Sequence, residues 1–206
     1  MKKTIILFLF SIFCCICNAQ DFYFDTYYKF IDSETKNESL ILSNSKDSTY
    51  TMMGSYAKNG NPSIATIRQT NSNQVFSFLI INNLYDFKYL AKDSPLFNIT
   101  HDYEYEINET PIDENHLKVE IKVYKIKKKS KKIASTSYII YEKSDDFKFN
   151  ILGLNYYTHC ILTKTKYKES NFGYPIEINT EFTNGKKSNF KLELKLKINK
   201  TININN

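Results

Sequence analysis

FKLELKLKINKTINI, residues Phe190 to Ile204, places an apolar side chain at every second position: Phe190, Leu192, Leu194, Leu196, Ile198, Ile202 and Ile204. Only Lys200 interrupts the row. The positions between are Lys191, Glu193, Lys195, Lys197, Asn199, Thr201 and Asn203, so a period of two holds on both faces and predicts one long, half-buried β-strand. A strand with one apolar face and one charged face needs a sheet beside it and a cover over the apolar face. The expected fold is therefore mainly β: a single curved antiparallel sheet or half-open β-barrel, with little helix.

The upstream chain supplies the other strands. Phe22, Phe24 and Tyr28 alternate with Tyr23, Asp25 and Tyr27, which puts aromatics on both faces and predicts a strand inside the sheet or under a lid. Asp32 to Lys36 reads as a polar turn. Ser39 to Ser43 and Thr49 to Ala57 read as strands joined by Asn44-Ser45-Lys46-Asp47, with Gly54 as a bulge or a point of close approach. Asn59-Gly60-Asn61-Pro62 turns the chain into a strand from Ser63 to Thr70. Val75 to Ile81 is apolar at nearly every position, as a central strand covered on both sides would be. Leu84 to Leu90 fits a strand better than a helix. Pro95 to Asp102 has room for a short helical turn and is the expected place for a lid.

Tyr103, Tyr105 and Ile107 then alternate with Glu104 and Glu106, and Glu109 to Asn115 reads as a loop. Leu117, Val119, Ile121 and Val123 form a strong strand whose apolar register jumps to Tyr124 and Ile126, which predicts a bulge or an added twist there. Ile133 to Glu142 is its return strand. Phe147 to Ile151 and Tyr156 to Tyr167 read as two more. Near the end, a two-residue hairpin at Asn184-Gly185 would put the apolar rows of its two strands on opposite faces. The expected connection is a three-residue loop with Gly185 in the left-handed conformation, pairing Ile178 with Phe190 and Ile176 with Leu192.

The N-terminus has the layout of a secretory signal peptide: Lys2 and Lys3, an apolar run from Ile5 to Phe13, and small residues before a cut between Ala19 and Gln20. Residues 1–19 are thus expected to be the signal and 20–206 a single antiparallel β domain, periplasmic or secreted. Loss of Lys2 and Lys3 takes the net charge from +6 to +4. A lipidated cysteine follows a small residue, whereas Cys14, Cys15 and Cys17 follow Phe13, Cys14 and Ile16, so lipoprotein anchoring is not expected. Cys160 then has no partner for a disulfide, and the fold must rest on its core.

The residues offer no recognisable reaction. His101, His116 and His159 have no spacing that sets two ligands on one face, and His159 and Cys160 point to opposite sides of a strand. No nucleophile elbow, phosphate loop or dinucleotide fingerprint is present, and five glycines leave little scope for one. No catalytic residue, metal or cofactor is expected. A hydrolase would need two of Asp25, Asp102, Glu104, Glu106 and Asp113 to converge in a cleft. The Lys run at 125–132 suits an anionic surface, with Lys127, Lys128, Lys129, Lys131 and Lys132 as the expected contacts, against the plain alternative of a solvated turn. No aromatic residues interleave with that run, so nucleic acid is not an expected partner.

The notable surplus is aromatic, 16 Tyr and 15 Phe with no Trp. The signal ending in Ala-Gln, the succession of antiparallel strands, Gly173-Tyr174-Pro175-Ile176-Glu177-Ile178 and the long last strand after Asn184-Gly185-Lys186 together resemble the periplasmic lipoprotein-carrier group, LolA and LolB. That resemblance implies a half-open barrel holding acyl chains. The expected function is then a non-enzymatic exported binder of a lipid, a lipoprotein acyl chain or another apolar ligand. Tyr85, Phe87, Tyr89, Tyr103, Tyr105, Phe190, Leu192, Leu194 and Leu196 are its expected lining. The alternative is an envelope interaction module with a closed core and no ligand.

Overall fold

The computed structural model describes residues 20–47, 49–56, 63–69, 74–82, 86–93, 102–127, 130–145 and 173–204. Among these residues the secondary structure is entirely β. The N-terminal strands are β1 (Gln20–Asp32), β2 (Glu38–Ser43), β3 (Tyr50–Ser55), β4 (Ile64–Gln69), β5 (Val75–Asn82) and β6 (Asp86–Asp93). The C-terminal strands are β7 (Asp102–Pro111), β8 (His116–Lys127), β9 (Ser130–Lys143), β10 (Gly173–Phe182) and β11 (Lys187–Ile204). They form one antiparallel sheet in the order β6-β5-β4-β3-β2-β1-β11-β10-β9-β8-β7, and the sheet does not close. Two meanders are thus joined at their middle by the pairing of the first strand with the last.

Local chemistry accounts for several joints. Asp32 ends β1 with its carboxylate accepting from the Glu34 and Thr35 amides at 3.0 and 2.7 Å and from the Thr35 hydroxyl at 3.0 Å, which folds the β1–β2 turn. Burial pushes this carboxyl up, but these donors outweigh it and hold it below the ordinary range. At the other hairpin the Phe182 amide bonds Lys186 O at 2.9 Å and the Gly185 amide bonds Phe182 O at 2.9 Å. Gly185 has φ +79°, and Ile178 stands opposite Phe190, as the period-two pattern predicts. The predicted bulge also falls in place, between Val123 and Tyr124.

The first core gathers Phe22, Phe24 and Tyr27 of β1, Leu40, Leu42, Tyr50 and Met52 of β2–β3, Ala65, Ile67, Phe76, Phe78 and Ile80 of β4–β5, and Ile202 and Ile204 of β11. The second gathers Tyr28, Phe30, Ile41, Leu117, Val119, Ile121, Val123, Ile139, Tyr141, Tyr174 and Ile178. Leu40 and Leu42 belong to one and Ile41 to the other, so the two cores lie on opposite faces of the same central strands.

The sheet folds over itself to bury the first core. Toward the N-terminus β1 leaves β2 after Thr26↔Ser43 but stays paired with β11 as far as Gln20↔Ile204. Four strand spacings of about 4.8 Å separate β1 from β5 in a flat sheet, roughly 19 Å. The Phe22 and Phe76 rings are 5.5 Å apart, so the two-stranded end of β1 and β11 crosses the face of β3–β5. Tyr50 pins it there: its hydroxyl donates to Tyr23 O at 2.8 Å and accepts from the Tyr23 amide and the Asn44 side chain. Small residues admit the fold. A Cβ at Gly54 would lie 3.0 Å from Ala65 Cβ, 3.1 Å from Leu40 Cγ and 3.2 Å from Ile80 Cδ1, so Gly54 is the close-approach point read from the sequence.

Four expectations are corrected. The apolar row of β11 does not face one interior: Phe190 and Leu192 pack against the second core, Ile198, Ile202 and Ile204 belong to the first, and Leu194 and Leu196 are 38% and 36% exposed. The cause is an offset between Lys29↔Leu194 and Phe30↔Leu192, where β11 advances one residue more than β1 and its even-numbered side chains change face. β5 is not covered on both sides. It lies next to the edge, and Ile81 is 55% exposed because only the Phe76, Phe78 and Ile80 face meets a core. Ile176 does not pair with Leu192, because β10–β11 register ends at Glu177↔Lys191 and Ile176 is the additional residue of a β10 bulge. The loop expected from Glu109 begins later, since β7 pairs with β8 through Pro111↔Leu117. The expected lid after Pro95 and the strands at 147–151 and 156–167 lie outside the described residues.

Candidate functional site

The nine residues expected to line one cavity are distributed over different parts of the molecule. Phe87 and Tyr89 pack against the first core, where the Tyr89 and Phe78 rings meet edge to face at 5.7 Å. Tyr105, Phe190 and Leu192 pack against the second, on the other face. Leu194 and Leu196 oppose Lys29 and Tyr27, on the face turned away from Tyr28 and the second core. Tyr85 and the Tyr103 side chain lie outside the described residues. Among the described residues, Tyr105, Phe190 and Leu192 are half-buried against the second core, as are Met53, Ile107 and Ile176.

A polar cluster is built onto the second core at Tyr28 and Tyr174. Lys195 opposes Tyr28 across β1–β11, and Tyr174 opposes Glu142 across β9–β10. The Tyr174 hydroxyl donates to the Glu142 carboxylate and accepts from Lys195, whose ammonium also lies 3.7 Å from the Tyr174 ring centre and 3.8 Å from Glu142. The Tyr28 ring centre is 6.3 Å from that of Tyr174. Burial, then the hydrogen bond to Glu142, pushes the Tyr174 phenol up, further into the range where it is a neutral donor. The arrangement is a cation and a carboxylate bridged by a neutral phenol that belongs to the second core. Sequence reasoning missed it, because residues 21 and 32 positions apart meet only through strand register.

Among the described residues the candidate acids lie in three separate places. Asp25 accepts from the Ser45 amide at 3.0 Å and from the Thr26 hydroxyl at 2.9 Å; burial raises its carboxyl, and these bonds with that of the Ser45 hydroxyl bring it below the ordinary range. Glu104 and Glu106 share the Lys131 ammonium, 3.2 Å from each, on exposed β7. Asp113 lies 2.9 Å from His116 Nδ1. The Asp102 side chain, His101, His159 and Cys160 lie outside the described residues.

At the far end of β8 and β9, Lys127 pairs with Ser130, Ile126 with Lys131 and Lys125 with Lys132. Lys131 is fully engaged: besides its two carboxylates, its ammonium lies 4.1 Å from the Tyr124 ring centre, and the Tyr124 hydroxyl donates to Glu106 at 2.8 Å. Lys132 is exposed, Lys128 and Lys129 lie outside the described residues, and so does the Lys127 side chain. No family model, curated protein or solved structure matches the chain.

Proposed function

We propose that the protein is an exported, non-enzymatic interaction module of the cell envelope, with two aromatic cores filled by its own side chains and contacts made from its outer surface. The observation that carries this reading is the division of the aromatic residues between opposite faces, with Phe24, Tyr27, Tyr28 and Phe78 each fully buried in one core or the other. An acyl-chain cavity needs its lining on one concave wall. Here Phe24, Tyr27, Tyr28 and Phe78 keep no surface that a ligand could touch. Outer apolar side chains are available to a partner instead: Ile64, Ile81 and Leu90 are exposed on β4–β6, where Ile64 and Ile81 alternate with core residues of their own strands. Native mass spectrometry of the full protein purified from its own envelope should give the bare polypeptide mass. A stoichiometric co-purifying lipid would overturn the reading. The second reading is an apolar ligand laid along the border of the second core. It is supported by half-buried Tyr105, Phe190 and Leu192, each packed on that core, and it would require Phe190→Asp to abolish uptake of a fluorescent fatty acid.

A further inference from the structure

Lys125 and Lys132 stand directly opposite each other across β8 and β9, the second pair beyond the bulge at which the apolar row of β8 ends in Val123. Like charges in that relation destabilise a hairpin. Neither lysine has a carboxylate partner among the described residues, and the nearby acids of β7 are already held by Lys131 and Tyr124. On the other face of the same hairpin end Ile133, opposite Tyr124, is 46% exposed. Uncompensated cations flanked by an exposed aliphatic residue match the boundary between anionic head groups and acyl chains.

We propose that this end of the β8–β9 hairpin docks the protein on an anionic lipid surface. The inference rests on the reading of the chain as an outward-facing module and supplies its partner. A surface fits better than a single small anion, because Lys125 and Lys132 lie on one face of the hairpin and Ile133 on the other, so the groups spread around an edge and do not converge on a point. Docking removes the repulsion between the opposed lysines, which the free protein bears.

The test is co-sedimentation of the full protein with vesicles of phosphatidylglycerol and phosphatidylethanolamine, against vesicles of phosphatidylcholine alone. Binding is expected only to the first, and it should fall steeply as salt is raised. Each lysine is expected to contribute about fivefold in affinity, so the double variant Lys125→Gln, Lys132→Gln should lose about 25-fold. A control with the same change in net charge at two turns, Lys36→Gln with Lys46→Gln, should bind like the parent. Equal binding to both vesicles, full retention by the double variant, an equal loss in the control, or equally tight binding to soluble polyphosphate would each overturn the proposal. None of these results alters the expected bare mass of the purified protein, so failure of the docking surface is separable from failure of the closed-core reading.

Discussion

Gly54 and Asp32 show how single positions hold this sheet, one by lacking atoms and the other by gathering donors. At Gly54 the three nearest side-chain atoms leave a Cβ no slack, and all three belong to core residues. Gly54→Ala should therefore lower stability by about 1–3 kcal/mol, the usual cost of overpacking. The cost should shrink in an Ile80→Val background, which removes Cδ1; equal losses of urea midpoint in both backgrounds would show that Ile80 is not the obstacle. Asp32 accepts three hydrogen bonds while buried, and Asp32→Ala leaves those donors without it, at about 1–3 kcal/mol. Its carboxyl is held below the ordinary value, so its contribution is complete above an unfolded pKa of about 3.9 and disappears as pH falls through the lower folded value. The gap between parent and variant should accordingly be constant near neutrality and close below about pH 4, which unfolding curves at several pH values will check.

Among the elements, the paired ends of β1 and β11 are the least supported by strand neighbours, because β2 and β10 both leave them. Side chains hold them instead: Phe22 and Phe24 pack on Tyr50 with ring centres 5.0 and 5.5 Å away, and the Tyr50 hydroxyl takes up both backbone groups of Tyr23. Tyr50→Phe keeps the rings and removes that anchor. It should cost about 1–3 kcal/mol and speed amide exchange at residues 22–24 and 202–204 more than in β8 and β9. Uniform acceleration through the whole sheet would mean that this ribbon has no opening of its own. The hairpin between β10 and β11 behaves differently, because its geometry is local. Gly185 at φ +79° and the carbonyls of Phe182 and Lys186 set it without help from distant strands, which is why its loop length and the Ile178–Phe190 pair could be read in advance.

For the molecule as a whole, β1 belongs to both cores, giving Tyr28 and Phe30 to one and Phe22, Phe24 and Tyr27 to the other. Neither core survives without it, so the sheet should unfold in one transition. Phe78→Ala in the first core and Ile139→Ala in the second, costing about 3–5 and 2–5 kcal/mol, should each shift that single transition; a profile split into two steps by either variant would show independent halves. Local patterns alone are enough to show a succession of antiparallel strands, the turn of the last hairpin and an irregularity near the end of β8. Each of these is written in a period of two or in the residues of one turn. The sequence also marks Gly54 as a point of close approach. Which face each strand buries is set by the assembled sheet. Even-numbered positions of β11 stay apolar from Phe190 to Ile198, yet the offset opposite Lys29 and Phe30 sends Leu192 to one core and Ile198 to the other, leaving Leu194 and Leu196 in solvent. Side-chain alternation is a property of one strand, whereas the side of the sheet it meets depends on hydrogen bonds to a partner some 160 or more residues away, which a local pattern does not record.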